Sequence, residues 1–180
     1  MAGHELTGIL LVGGASSRFG SPKALARFEG ATLAERAWRL LGEVCEERLA
    51  VGRLEGLPFP AVQDEGTGPV AAIAEGLRDA THDVAVVIPV DMPLLTPDAL
   101  RSLAAACRDA AVAQAGPLPC GVARRALPAF ETAERRLRTV LDGLDTACVE
   151  LDPTLLANVN EPADLRRIAA SEDDRTRGRG

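Results

Sequence analysis

Apolar positions along this chain alternate between short continuous runs and longer stretches at helical spacing. Thr7 to Val12 reads as a buried strand, and Val84 to Val90, apolar and largely β-branched, as a second and clearer one. Between them, Leu33, Ala37, Leu40, Leu41 and Val44 share one face of a helix predicted over Thr32 to Val44. Thr32 and Glu35 are spaced there as a capping box. Trp38 on that helix reads as core or partly exposed. Arg48 to Val51 and Ala61 to Gln63 are short strand candidates flanking a Gly/Pro-rich turn, and Val70 to Ala80 is helical. Thr96-Pro97 opens another helix, with a hydroxyl cap and proline at the first helical position. Ala111 to Gln114, Cys120 to Ala123 and Ala147 to Leu151 read as extended. Ala126 to Leu137, Thr139 to Leu144 and Glu161 to Ala170 read as helices. The alternation predicts an α/β fold, a Rossmann-like three-layer α/β/α arrangement around a mostly parallel sheet. Residues 1–170 are expected to form one domain; 171–180, charged and without apolar residues, a disordered tail.

Composition narrows the function. The 180 residues are 47% hydrophobic and 26% charged, ordinary for a soluble globular protein. A net charge of −6 disfavours nonspecific nucleic-acid binding, and 3% aromatic content with no tyrosine removes a stacking platform for single strands. No stretch approaches a membrane span, and Met1 to Leu11 carries Glu5 and lacks the basic start of a signal peptide. A cytoplasmic location without membrane contact is the expectation. Cys45, Cys107, Cys120 and Cys148 are scattered without a CxxC pair, so they are expected to act as small buried hydrophobes.

The first strand breaks into Gly13-Gly14-Ala-Ser16-Ser-Arg18-Phe-Gly20-Ser-Pro-Lys23. Glycines let backbone N–H groups approach an anion closely, and Arg18 and Lys23 add fixed positive charge beside them. The loop therefore reads as a polyphosphate cradle. It fits neither GxGxxG nor the P-loop GxxxxGK[ST]. Such a site needs a counter-cation, usually Mg²⁺ held by one or two carboxylates and the phosphates. Asp91 is the leading ligand, since it follows the strand Val84 to Val90 at the sheet edge where open α/β folds bind ligands. A helix cap is the plainer role for Asp91, but Thr96 already takes that position.

The spacing GGxSxRxGxxK resembles the signature loop of the MobA-like nucleotidyltransferases, with Phe19 where that family usually has Met. Ile88-Pro-Val-Asp91-Met-Pro93 resembles its second motif, in which the Asp carries Mg²⁺. Asp64, before Gly68-Pro69-Val70-Ala71, matches a family Asp near the nucleotide, although it reads equally as a turn residue, with Glu65 as a substitute. Ala72 stands where the family has a second Gly, which is expected to make that loop less permissive. Asn158-Val-Asn160-Glu161-Pro-Ala-Asp-Leu165 is similar to the late Asn-x-Asn-Thr-Pro-x-Asp-Leu motif. Its asparagines help complete the acceptor or metal site there, while Asn160 also suits a helix cap. Arg124 and Arg125 fall where the family often has a basic pair facing the acceptor; a solvated pair fits as well.

The resemblance runs from about Leu6 to Ala169 and implies the nucleotide-diphospho-sugar transferase type of fold. Leu11, Val12, Gly13, Gly14, Ser16, Arg18, Gly20, Lys23, Asp64 and Gly68 would bind nucleotide, with Arg18, Lys23 and Asp91 catalytic and Asp91 on Mg²⁺. The likeness is greatest to the guanylyltransferase branch, which implies transfer of GMP from GTP to molybdopterin. It also implies transient contact with molybdoenzymes or cofactor-insertion proteins. Cytidylyl transfer, another phosphorylated acceptor, or a non-catalytic nucleotide-binding module are the alternatives.

Overall fold

A computed structural model describes residues 5–13, 22–53, 55–63, 68–132, 134 and 136–177, with side chains through 169. The sheet is built from β1 (Leu6–Leu11), β4 (Glu47–Val51), β5 (Val84–Pro89), β6 (Ala110–Ala113), β7 (Cys120–Ala123) and β8 (Thr146–Val149), in the order β4-β1-β5-β7-β6-β8. β1 runs parallel to both β4 and β5, and β6 parallel to β8; β7 alone is reversed, antiparallel to both neighbours. The expected mostly parallel sheet is thus present. A hairpin of β2 (Arg27–Phe28) and β3 (Ala31–Thr32) stands apart from it, turning through Glu29 and Gly30 at φ of 48° and 84°.

Both faces of the sheet are covered, which is why its central strands are apolar without alternation. Leu6 and Leu10 of β1 and Val86 and Ile88 of β5 pack on one side. They meet α1 (Leu33–Gly42), α3 (Pro97–Ala106) and α6 (Pro162–Arg177) through Leu33, Leu41, Leu100 and Ile168. Ile9, Leu11, Ala85 and Val87 face the other way. Their partners are α2 (Pro69–Asp79), α4 (Leu127–Phe130) and α5 (Leu137–Asp142), through Ile73, Leu77, Phe130 and Val140. The result is the three-layer sandwich.

Local signals account for the helix starts. The Thr32 hydroxyl accepts from the Glu35 N–H while the Glu35 carboxylate accepts from the Thr32 N–H, completing the predicted capping box on α1. The Thr96 hydroxyl caps α3 by accepting from the Ala99 N–H, without a reciprocal side chain, and Pro97 takes the first position.

Other expectations shift. The helix read over Ala126 to Leu137 is only a 3₁₀ turn at Arg124–Ala126 followed by α4, and the helix resumes at Leu137. Glu131 and Thr132, polar and exposed, supply no apolar face to continue it. Ala61 to Gln63 reduces to a single bridge, Val51 to Val62. The backbone of α6 runs from Pro162 to Arg177. Cys45 and Cys120 are buried as expected, and burial pushes the Cys45 thiol up to about 11. Cys107 is half-buried, while Cys148 is exposed on the edge strand β8, contrary to that expectation. Among the described residues no helix is long and apolar enough to cross a membrane.

Candidate functional site

Strands β1, β4, β5, β6 and β8 all end at the same edge of the sheet, and most residues singled out from the sequence collect there. The Leu11 and Val12 side chains are buried, and the Val12 N–H donates to the Val51 carbonyl at 3.0 Å. Ligand contacts at these two residues must therefore come from backbone. Gly13 follows and is exposed. Gly14, Ser16, Arg18 and Gly20 lie outside the described residues, as do Asp64 and Glu65.

Lys23 re-enters at the start of a 3₁₀ turn, Lys23–Leu25, anchored by the buried Ala24. Its Nζ stands 3.1 Å from the Asp91 carboxylate, a pairing of residues 68 apart in sequence. Asp91 follows β5 as expected, and the cap of α3 is Thr96 rather than Asp91. The two side chains are 19% and 25% exposed, enclosed enough for the pair to feel a reduced dielectric yet open to a ligand.

The late motif is tied directly to Asp91. The Val159 N–H donates to the Asp91 carbonyl at 2.8 Å, and the Val159 side chain is fully buried. Asn158 and Asn160 flank it and are both exposed. Asn160 does not cap α6 through its side chain. Instead the Asp164 carboxylate reaches back to the N–H groups of Asn160 and Glu161, at 2.7 and 2.9 Å. Those two hydrogen bonds, with the Arg167 charge beside them, hold the Asp164 carboxyl below its ordinary value.

Gly68 occupies the N-cap of α2 at φ 113°, a conformation closed to most L-residues, so glycine is required there. The anticipated loss of freedom at Ala72 does not arise, because Ala72 lies inside α2, buried, where alanine is favoured.

Sequence reasoning missed one wall of the site. A cavity of about 540 Å³ opens beside Gly13, lined by Gly52, Arg53, Gly56, Leu57, Phe59 and Gln63 among others. Gly52 sits at φ 135°, and a Cβ there would come within 2.5 Å of the Gly13 nitrogen. Phe59 is stacked on Trp38, with ring centroids 4.2 Å apart, and the Arg48 guanidinium lies 4.7 Å from the Trp38 centroid. The available signal was a turn that carries Leu57 and Phe59 between glycines and prolines.

Arg124 and Arg125 are not brought to this edge. The Arg124 N–H bonds to the Asp83 carbonyl where β5 begins, and Arg125 pairs with Asp109 at 3.0 Å. The length of β5 separates them from Asp91, roughly 20 Å at strand rise.

Glycine-lined strand ends, a Lys–Asp pair and a neighbouring cavity on one edge of a parallel sheet match a nucleotide site. Residues 8–149 match the MobA-like NTP transferase domain. The chain belongs to that family. A relative, the probable molybdenum cofactor guanylyltransferase of Deinococcus radiodurans, is 33% identical over 187 residues, 94% of this chain and 96% of that one. The protein of the same description from Chloroflexus aggregans is 34% identical over 196 residues, 92% and 94% of the two chains. Among solved structures, molybdopterin-guanine dinucleotide biosynthesis protein A from Archaeoglobus fulgidus superposes with a TM-score of 0.78. That match has 23% identity and covers 93% of this chain and 99% of that one. The 2-C-methyl-D-erythritol 4-phosphate cytidylyltransferase of Thermus thermophilus has a TM-score of 0.69 at 19% identity, covering 91% and 98%. These two share the fold of this chain, the nucleotide-diphospho-sugar transferase type.

Proposed function

We propose that this nucleotidyltransferase transfers GMP from GTP to molybdopterin, forming the guanine dinucleotide cofactor and releasing pyrophosphate. The observation that carries a nucleotidyl-transfer site is the Lys23–Asp91 pair, 3.1 Å apart where β5 ends. The choice of GTP and molybdopterin is supported by relatives described as probable molybdenum cofactor guanylyltransferases, each aligned over more than nine-tenths of this chain.

In this reading the glycine-rich segment that follows β1 in sequence holds the triphosphate, with the base toward the cavity bounded by Gly52, Leu57 and Phe59. A phosphate oxygen of the acceptor attacks the α-phosphorus, and the bond from the α-phosphorus to its bridging oxygen breaks. Pyrophosphate departs with that electron pair. A phosphate monoester is already anionic near neutral pH, so no strong general base is required. The difficulty is bringing anions together, and positioning with electrostatic stabilisation supplies most of the rate. Lys23 neutralises charge on the departing pyrophosphate. Arg18, in the signature loop, is assigned the same task. Asp91 fits one role in holding Mg²⁺, because its carboxylate already faces a cation, the Lys23 ammonium. Bound there with the phosphates, Mg²⁺ would withdraw charge from the α-phosphate. In this reading Asn158 and Asn160, which flank Val159 and its hydrogen bond to the Asp91 carbonyl, orient the acceptor.

The test is pyrophosphate release from GTP, CTP, ATP and UTP with Mg²⁺, with and without molybdopterin. Release confined to GTP plus molybdopterin is expected. Molybdopterin-dependent release from CTP instead would overturn the guanylyl assignment and retain nucleotidyl transfer.

A further inference from the structure

The pair that marks the site also blocks it. Nucleotidyl transfer asks Lys23 to face phosphate oxygens and Asp91 to face a divalent cation, yet each already neutralises the other at 3.1 Å. Among the described residues no three His, Cys, Asp or Glu side chains gather as a metal cluster. Among the described residues, Asp91 offers an incoming divalent ion one carboxylate with an ammonium against it. Mg²⁺ is usually completed by substrate phosphates and water rather than by an all-protein cage.

The two half-ligands meet different obstacles. A divalent ion arriving alone must settle beside Lys23, adding like-charge repulsion with no anion to offset it. A metal-free triphosphate must draw Lys23 away and leave Asp91 facing its negative charge. The metal–triphosphate complex satisfies both at once, because its phosphate oxygens take the ammonium while its metal takes the carboxylate. The backbone on either side is held. The Asp91 carbonyl accepts from the Val159 N–H at 2.8 Å, and the Lys23 carbonyl accepts from the Ala26 N–H at 3.0 Å. The exchange therefore falls on the two side chains and needs no rebuilding of the strand end.

We propose that the Lys23–Asp91 ion pair is an electrostatic latch that selects the preformed divalent metal–nucleoside triphosphate complex over either component alone. The inference rests on the nucleotidyl-transfer reading of this site and extends it to the form in which the substrate is taken.

The test is Mn²⁺ binding to the full chain without nucleotide, read from the electron paramagnetic resonance signal of free Mn²⁺. The wild type should bind weakly. Lys23→Met should bind Mn²⁺ about tenfold more tightly, because removing one unit charge a few ångströms away relieves the repulsion. The gain should shrink with added salt and vanish in the Lys23→Met/Asp91→Asn double variant. Lys23→Gln, which keeps part of the stem, should follow the same trend and covers the case of misfolding in Lys23→Met. In the wild type, GTP should raise Mn²⁺ affinity more than it does in Lys23→Met. Equal or weaker nucleotide-free Mn²⁺ affinity in both folded Lys23 variants would overturn the latch, as would a gain that survives Asp91→Asn. Failure of the transfer reading shows elsewhere, as absence of pyrophosphate release from the wild type. Intact wild-type release with unchanged Mn²⁺ affinity in the variants removes the latch alone.

Discussion

Asp91 and Glu47 are carboxylates at opposite ends of the same sheet, and their surroundings differ in kind. Glu47, at the start of β4, accepts from the Thr7 hydroxyl at 2.6 Å and from the Thr81 N–H at 2.9 Å. Thr7 is fully buried, so Glu47 satisfies a hydroxyl that would otherwise be stranded in the core. Asp91 instead meets the Lys23 ammonium beside glycine-lined strand ends, at the edge where the parallel strands finish. A structural carboxylate is committed to donors that cannot leave. Under the proposed function, Asp91 is matched to a cation that an incoming ligand would exchange. Charge and burial alone do not separate the two; the kind of partner does, a buried hydroxyl and a backbone N–H for Glu47 and a lysine side chain for Asp91.

The largest effect that tests this contrast is Asp91→Asn. Turnover should fall about 10²–10³-fold if the charge acts mainly in the transition state. The thermal midpoint should barely move, because a partly exposed ion pair contributes about 0–1 kcal/mol. Pyrophosphate release and circular dichroism on one preparation read both, and full activity in the variant would remove Asp91 from the machinery. Next comes Gly52→Ala. Its Cβ would press on the Gly13 nitrogen at 2.5 Å while the backbone holds φ at 135°. The expected cost is about 1–3 kcal/mol of stability. A displaced signature loop should also lower kcat/KM roughly tenfold or more. Urea unfolding with steady-state kinetics checks the pair of effects.

Glu47→Gln should do the reverse of Asp91→Asn, lowering stability by about 1 kcal/mol near neutral pH and leaving turnover unchanged. Burial raises the Glu47 pKa, but the hydrogen bonds from Thr7 and Thr81, aided by His82, outweigh it and hold the group below its ordinary 4.5. A carboxyl with a lowered folded pKa stabilises fully above its unfolded value and loses that contribution as pH falls through the folded one. The stability gap between wild type and Glu47→Gln should therefore be constant near neutrality and narrow below pH 4.5. Urea midpoints measured across that range decide it. A gap that widens in acid would contradict the assignment.

The legible parts of this chain are those in which local chemistry and tertiary role coincide. The run from Val84 to Val90 is apolar because both faces of β5 are covered, and Thr32 with Glu35 encodes its helix start within four residues. Asp91 was readable from a strand end and Lys23 from the spacing of the glycine-rich segment, although no local pattern announces that they touch. The cavity wall from Gly52 to Gln63 was not legible. Its role depends on Gly52 lying against Gly13, a contact between residues far apart in the chain. The β2–β3 hairpin was missed because its two-residue strands are shorter than any periodicity. The acceptor side remained ambiguous for the same reason: only the Val159 hydrogen bond shows that the asparagines stand at Asp91.

The smallest expected effect closes the contrast between the two edges. Arg124-Arg125 is the densest positive charge in the neighbourhood of β7, and by composition alone it competes with Lys23 for an anionic ligand. In the fold Arg125 is saturated by near neighbours, pairing with Asp109 at 3.0 Å and donating to the Arg108 carbonyl at 2.8 Å. Arg108 in turn pairs with Asp145 at 3.1 Å, so the cluster neutralises itself. Arg125 is 69% exposed, and an exposed pair of this kind is worth about 0–1 kcal/mol. Arg125→Ala should therefore leave GTP binding, molybdopterin-dependent turnover and the urea midpoint close to wild type. A selective rise in the KM for molybdopterin would instead move the acceptor to the far edge. A bound acceptor phosphate there could not reach an α-phosphorus held near Asp91, because the length of β5 lies between them.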